Sequence, residues 1–459
     1  MPSLILHLLK YTVDQFSGGG STSTPYKIDQ AAPNLNRYSA TRRVARAIFM
    51  GTAPTAGQEN KGLDDKQINL GVVQPGERPA IFGDAMRRLT NQAKFMHSDL
   101  GRYWYSMSAS LNRIAADRAG QFEEALVLME IDKALGTYIN GLGDRGHFDA
   151  VQVAPGNSSE VPDEAGGVRA VILGVAHSHT GRDGSEALTE AKDILMQRGS
   201  TPRVYRNMLV FLAAEHRLLN NLKDAQRSAL AWAEIVRETD RLNLTQSDSA
   251  LAKAKLTAAN ETLKTRLKEA WCYLLYPVQE SAQAELDWTS AKIPAQDGLL
   301  ARASKKLVSD EGLLSELGPA RLDRELQKYI WNGKEHLFLK DLWQYLNRYT
   351  YLPRIKNRAV LAKTVQSSIG GMLPGPFAYA ERWDEAKQTY AGLAISGASH
   401  VQVVIDSDSL IISPEVAEAH RPTPSSDPEG PGSFDPADKD ESATGLGEGG
   451  SGGTISDAE

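Results

Sequence analysis

The chain has 459 residues, 41% of them hydrophobic and 24% charged, with a formal net charge of -6. That length exceeds one ordinary core and predicts two or three domains plus tails, in a composition typical of a soluble globular protein. Residues 421 to 459 hold nine acids against Arg421 and Lys439, so the rest of the chain is at +1; this excludes a protein that coats nucleic acid by charge alone and leaves room for a local basic patch.

Cys272 is the only cysteine, which excludes an intramolecular disulfide and makes a reducing cytoplasm the simplest home. Within Ala270-Trp271-Cys272-Tyr273-Leu274-Leu275 its thiol reads as buried and structural. Leu4 to Leu9 is apolar but too short for a signal peptide or a membrane span, and no other stretch is long enough to cross a bilayer, so no membrane partner is expected.

In chain order, residues 1–38 read as the last turns of a helix followed by a Gly/Ser loop, and residues 39–120 as a lid or winged-helix-like module. Ser39 is a candidate N-cap for a helix through Met50, with Val44, Ala47 and Ile48 at helical spacing and Arg42, Arg43 and Arg46 on the exposed or partner-facing side. Three arginines at a helix start oppose the helix dipole unless an anion or an acid lies nearby. Gly51 to Gly62 reads as a loop, Asp64 to Asn69 as a helical turn and Leu70 to Gly76 as a short strand or connector. Ala85 to Leu89 has helical spacing, Lys94 to His97 is extended, Ser98 to Gly101 supplies turn chemistry, and Arg102 to Ser106 is the second arm of a hairpin before a helix at Leu111 to Ala119. Helix, hairpin, helix is a winged-helix outline. Alternation places Tyr103 and Tyr105 on one face and Arg102, Trp104 and Ser106 on the other; a core-packing hairpin explains the same aromatics.

Residues 121–214 predict a small α/β layer: a helix from Phe122 to Ile139, strands at Phe148 to Ala154 and Val168 to Val175, a helix from Ser185 to Gln197, and the apolar run Met208 to Ala214. Residues 215–306 predict a helical scaffold, with stripes through Leu218, Leu222, Ala225, Ala229 and Trp232 and through Leu256, Ala259, Leu263 and Leu267, interrupted at Pro277. Residues 307–412 predict a second winged-helix-like module, with helices at Pro319 to Tyr329, Leu339 to Arg348 and Asn357 to Ile369 before a β-ribbon. Residues 413–459 read as a disordered acidic tail. The fold class expected is mainly α, multi-domain, with small α/β and winged-helix-like modules.

No phosphate loop occurs: Gly18-Gly19-Gly20-Ser21 has no lysine to reach a phosphate. His177 and His179 with Asp183 are weak as a metal site, and no nucleophile elbow is present. Asp163 and Glu164 read as a solvated loop or a cap on backbone amides. No catalytic residue, no metal and no cofactor is expected in this chain.

Several segments occur in one order: Ser39-Ala40-Thr41-Arg42-Arg43-Val44-Ala45-Arg46, Leu70-Gly71 to Pro75-Gly76, Arg102-Tyr103-Trp104-Tyr105 with Leu111-Asn112-Arg113 and Asp117-Arg118-Ala119, Val161-Pro162-Asp163, Tyr205 to Ala214, and Tyr351-Leu352-Pro353-Arg354. Together, over residues 39 to 412, they resemble the middle and later part of the large prokaryotic AAA+-type ATPases of domain of unknown function family 499, which are similar to ATPases of phage-defence and DNA-modification gene clusters. The resemblance implies a nucleotide-binding core upstream of Arg42-Arg43 that this chain starts too late to contain, with ATP and Mg belonging to the full-length family only. It implies Arg42, Arg43 or Arg46 near nucleotide on an ATPase segment and other defence-system proteins or DNA as partners; a homo-oligomer is compatible with the sequence. The function expected is therefore a non-catalytic region of such an ATPase, acting through DNA or protein binding. The alternative is a stand-alone DNA-binding or adaptor protein in which Lys94, Arg102 and Arg113 contact phosphate.

Overall fold

The computed structural model describes residues 23–421 except 56–60, 94, 100, 107–109 and 243, and about 48% of those residues are helical. The expected N-terminal helix at Leu4 to Leu9, Lys94 and the tail from 422 lie outside the described residues.

The first unit contains α1 (Thr24–Gln30), α2 (Pro33–Tyr38), α3 (Ala40–Thr55), β1 (Leu63–Asp64), α4 (Asp65–Val72), α5 (Pro79–Gln92), β2 (Met96–Asp99) and β3 (Arg102–Tyr105). Val44 and Ile48 of α3, and Phe82, Ala85 and Leu89 of α5, recur at helical spacing and bury one apolar stripe per helix against Ile68 and Met96. α1 and α2 add Ile28, Ala32 and Leu35 to the same core, so this core extends upstream of the expected boundary at residue 39. The sheet is antiparallel in the order β1-β3-β2, with His97 opposite Trp104 and Met96 opposite Tyr105. Gly62 takes φ +67° beside β3, where a Cβ would stand 1.9 Å from Tyr103 O, so only glycine lets the loop approach. Ser39 does not serve as the expected N-cap. It closes α2 in the left-handed region (φ 49°), and the carboxylate of Asp29 accepts the Thr41 N–H of α3 instead.

The second unit contains α6 (Leu111–Ala119), α7 (Glu124–Asn140), β4 (Ala150–Val153), β5 (Arg169–Ile172), α8 (Glu186–Met196), β6 (Gln197–Arg198), β7 (Thr201–Pro202), β8 (Leu209–Ala214), α9 (Leu219–Arg237), α10 (Gln246–Ala270), β9 (Trp271–Val278), β10 (Asp287–Lys292) and α11 (Leu299–Ser309). Its five-stranded sheet runs β10-β9-β8-β5-β4, with β4, β5 and β8 parallel and β9 and β10 antiparallel to their neighbours. Alternate residues serve two cores. Ala170, Ile172, Val210 and Leu212 share one with α7, α9 and α10, while Val171, Phe211 and Ala213 share the other with α8. The helical reading of 215–306 is corrected here: Trp271–Val278 and Asp287–Lys292 are strands that complete the sheet begun at β4. Trp271, Leu274 and Leu275 are buried on both sides of β9, and a run apolar on both faces has no period that separates strand from helix.

The third unit contains α12 (Pro319–Tyr329), β11 (His336–Phe338), α13 (Leu339–Arg348), α14 (Arg358–Ile369), β12 (Ala378–Ala380), β13 (Arg382–Asp384), β14 (Thr389–Ala391), β15 (Leu410–Ile412) and α15 (Pro414–Ala419). Its main sheet is β11-β15-β12, antiparallel. Pro414–Ala419, expected as part of the tail, forms a helix because Ala417 packs into the core behind β15. Leaving aside the β13–β14 hairpin, α12 to β15 repeats the order of α3 to β3: helix, strand, helix, helix, strand, strand, with the last strand in the middle.

Candidate nucleic-acid interface

The arginines at the start of α3 are mostly held from within. Asp29, whose side chain is fully buried, accepts from Arg42 Nε at 3.0 Å and from the Thr41 N–H at 2.9 Å. Arg42 Nη2 also donates to Ser39 Oγ at 2.6 Å. Asp29 is thus the acid that offsets three arginines at a helix N-terminus. Arg43 pairs with Glu77 at 2.8 Å, donates to Val72 O and lies over the Phe82 ring, and its guanidinium holds the Glu77 carboxyl below the usual carboxylate range. Arg46 is exposed.

Of the residues expected to touch phosphate, Arg102 sits on β3 and donates to Lys61 O at 2.9 Å and Gly62 O at 2.6 Å. It ties the β1 loop to the hairpin. Arg113 pairs at 2.8 Å with Asp117 one turn along α6. Lys94 lies outside the described residues. Arg102 and Arg113 are thus both engaged by groups of the chain itself.

A basic surface does stand on α5, which the sequence reading quoted only for its spacing. Opposite its buried stripe, Ala80, Asp84, Arg87, Arg88 and Asn91 follow one another at helical intervals. Arg87 is 73% and Arg88 43% exposed at the side chain; both bind the single carboxylate of Asp84, Arg88 at 2.9 Å, which leaves one uncompensated positive charge. Exposed Gln92 and the exposed Arg78 at the opposite end extend the face. The signal was available as two adjacent arginines on the last helix before the hairpin. The surroundings reinforce it: residues 23–106 hold twelve Lys and Arg against seven Asp and Glu, a net of +5, whereas residues 313–420 hold twelve of each. On the matching helix of the third unit, α14, Lys363 pairs with Glu316 at 2.8 Å.

The carboxyl ends of the parallel strands are where an α/β sheet ordinarily receives a ligand. Here the Val175 N–H after β5 donates to Asp132 Oδ1 at 2.8 Å, and burial raises the Asp132 pKa. A carboxylate thus occupies the amide that follows β5. His177 Nδ1 stands 3.8 Å from Glu190, while His179 is buried between Ser185 Oγ (2.7 Å) and Ser290 Oγ (2.9 Å). The two histidines point to different partners, and no three metal-ligating side chains converge among the described residues. Glu215 pairs with Lys292 at 2.7 Å, and burial pushes the Cys272 thiol beside it up to about 11, well outside the range of a nucleophile.

Asp163 accepts the Val204 and Tyr205 N–H groups at 2.8 and 2.9 Å, the cap that its position in a strand connection suggests. Arg203 beside it donates to Ile194 O, Pro162 O and Val161 O. Arg354 donates to Asn207 O, Gly312 O and Pro277 O, and Asn207 Nδ2 donates to Leu346 O and Leu352 O. The Arg354 and Asn207 bonds hold the second and third units together. No family model matches the chain, and no curated protein or solved structure matches it either.

Proposed function

We propose that this chain binds duplex DNA through residues 24–105, as a winged-helix unit in which α5 is the reading helix, and that it serves as the non-catalytic region of a defence-associated AAA+-type ATPase. The observation that carries the reading is the pairing of a topology with a charge. α3, β1, α4, α5, β2 and β3 follow the order of winged-helix modules, and this unit carries net +5, against +3 for its counterpart at α12 to β15, with paired arginines on the helix before the hairpin. Such a helix enters a major groove with its outer face, and phosphate contacts around it fix the register. The occupied amide after β5 favours a second form of the same reading, a stand-alone DNA-binding or adaptor protein with no nucleotide of its own.

The test is anisotropy of a labelled duplex at several salt concentrations. Binding is expected to fall steeply with salt, and Arg87→Glu with Arg88→Glu is expected to weaken it and lower the salt slope by about 2. Lys363→Glu in the third unit should change neither. A wild-type chain that binds no duplex, or a double variant that binds as the wild type does, overturns the reading.

A further inference from the structure

The outward face of the β2–β3 hairpin looks into a cleft rather than open solvent. Thr245, Ser247, Asp248 and Leu251 at the start of α10 form the opposite wall, and about 400 Å3 lies between. His97 and Trp104, directly opposed across the two strands, line it as near-parallel rings with centroids 5.9 Å and planes 17° apart. Arg102, through its bonds to Lys61 O and Gly62 O, fixes the backbone of Lys61 at the cleft. Ser110 and Asn112 add a hydroxyl and an amide.

A tryptophan that served only to fill space would be covered by apolar groups. Trp104 instead stays half-buried in a cleft that sets hydroxyls, an amide and four charged side chains beside Met96, Leu111 and Leu251. Flat rings framed by hydrogen-bonding groups recognise nucleobases, which stack on the rings and are read at their edges. The charges nearly balance, Lys61 and Arg102 against Asp99 and Asp248, which suits a base carrying one phosphate better than a triphosphate. The two carboxylates can accept from an exocyclic amino group, as adenine has.

We propose that this cleft binds an unstacked nucleobase against the His97–Trp104 pair, with its phosphate at Lys61. A free mononucleotide and a nucleotide within a single strand present the same chemistry. The site is distinct from the α5 face and does not rest on the duplex reading.

The test titrates the full chain with fluorescein-labelled (dA)8, with unlabelled AMP as competitor. Trp104→Ala is expected to weaken (dA)8 binding roughly 5- to 150-fold, the usual effect of losing one stacked base, while Trp104→Phe retains most of it. Ser247→Trp, on the exposed opposite wall, fills the cleft without altering the hairpin and is expected to weaken binding as well. Displacement of (dA)8 by AMP assigns the site to free nucleotides; binding that AMP does not displace assigns it to single strands. Arg87→Glu with Arg88→Glu leaves (dA)8 binding intact, which separates this site from duplex binding. Absence of binding by both (dA)8 and AMP, or unchanged binding in both Trp104→Ala and Ser247→Trp, overturns the proposal.

Discussion

Both ring nitrogens of His179 are engaged by serine hydroxyls, and its burial pulls the imidazole pKa below the ordinary value. The unfolded chain, with an imidazole near 6.5, then binds a proton before the folded chain does. Stability is therefore full above the unfolded value, falls as pH drops through it toward the folded value, and levels off below that. His147 and His336 are shifted in the same direction, also by burial. The melting temperature is expected to fall between pH 7.5 and 5.5, and His179→Gln, which cannot take up a proton, should flatten part of that fall. An unchanged pH slope in the variant would remove His179 from the account. Asp29 shows what sequence order hides at this scale: the opposition of Arg42, Arg43 and Arg46 to a helix dipole is legible, but the acid that answers it lies two helices upstream and reaches Thr41 only through the fold. Cys272 was legible because an apolar run predicts its burial, and its thiol is buried.

Three buried arginines, Arg203, Arg302 and Arg354, join elements by donating to backbone carbonyls. Arg302 donates to Lys268 O and Trp271 O, both at 2.6 Å, where α10 turns into β9. Arg354 lies over the Tyr276 ring and links β9 to the segments before β8 and α14, and burial pushes its pKa down to about 10, which still leaves it charged at neutral pH. Arg354→Ala strands these carbonyls without a donor and should cost about 3–5 kcal/mol in chemical denaturation, the range for breaking a buried charged network. Arg354→Lys keeps the charge without the planar fork and should fall between the two; an alanine variant as stable as wild type would mean the carbonyls find other donors. Much of this scale was readable from sequence. The faces of the hairpin follow from strict alternation at Arg102 to Tyr105, and α12 and α13 keep their expected ends because proline starts one and each buries a clear stripe. The strands β9 and β10 were not readable as such: β9 is apolar throughout, and it follows directly on the last turn of α10 with no glycine or proline between. The pairing of Arg87 and Arg88 was visible, but its meaning depends on which helix precedes the hairpin, and that order is set by the fold.

At the scale of the whole molecule, the two repeats of one strand and helix order sit in different surroundings. The third unit shares its core with the five-stranded sheet: Leu326, Trp343, Leu361 and Val365 belong to the same cluster as Val210, Leu212 and Trp271. The first unit keeps a separate core of its own, from Ile28 to Tyr105. Folding units follow shared apolar contacts, because the free energy of each core is regained only when its own members assemble. The chain should therefore unfold in two steps in denaturant, one for residues 24–105 and one for the sheet together with α12 to β15. Leu89→Ala, in the first core, removes buried apolar surface worth about 2–5 kcal/mol and should shift only the first-unit transition. Leu212→Ala, at the same depth in the sheet, should shift only the other. Hydrogen exchange read by mass spectrometry assigns each transition to its residues; a single transition moved equally by both substitutions would mean that the basic unit and the sheet body fold as one, and that nucleic acid on α5 is felt throughout the chain.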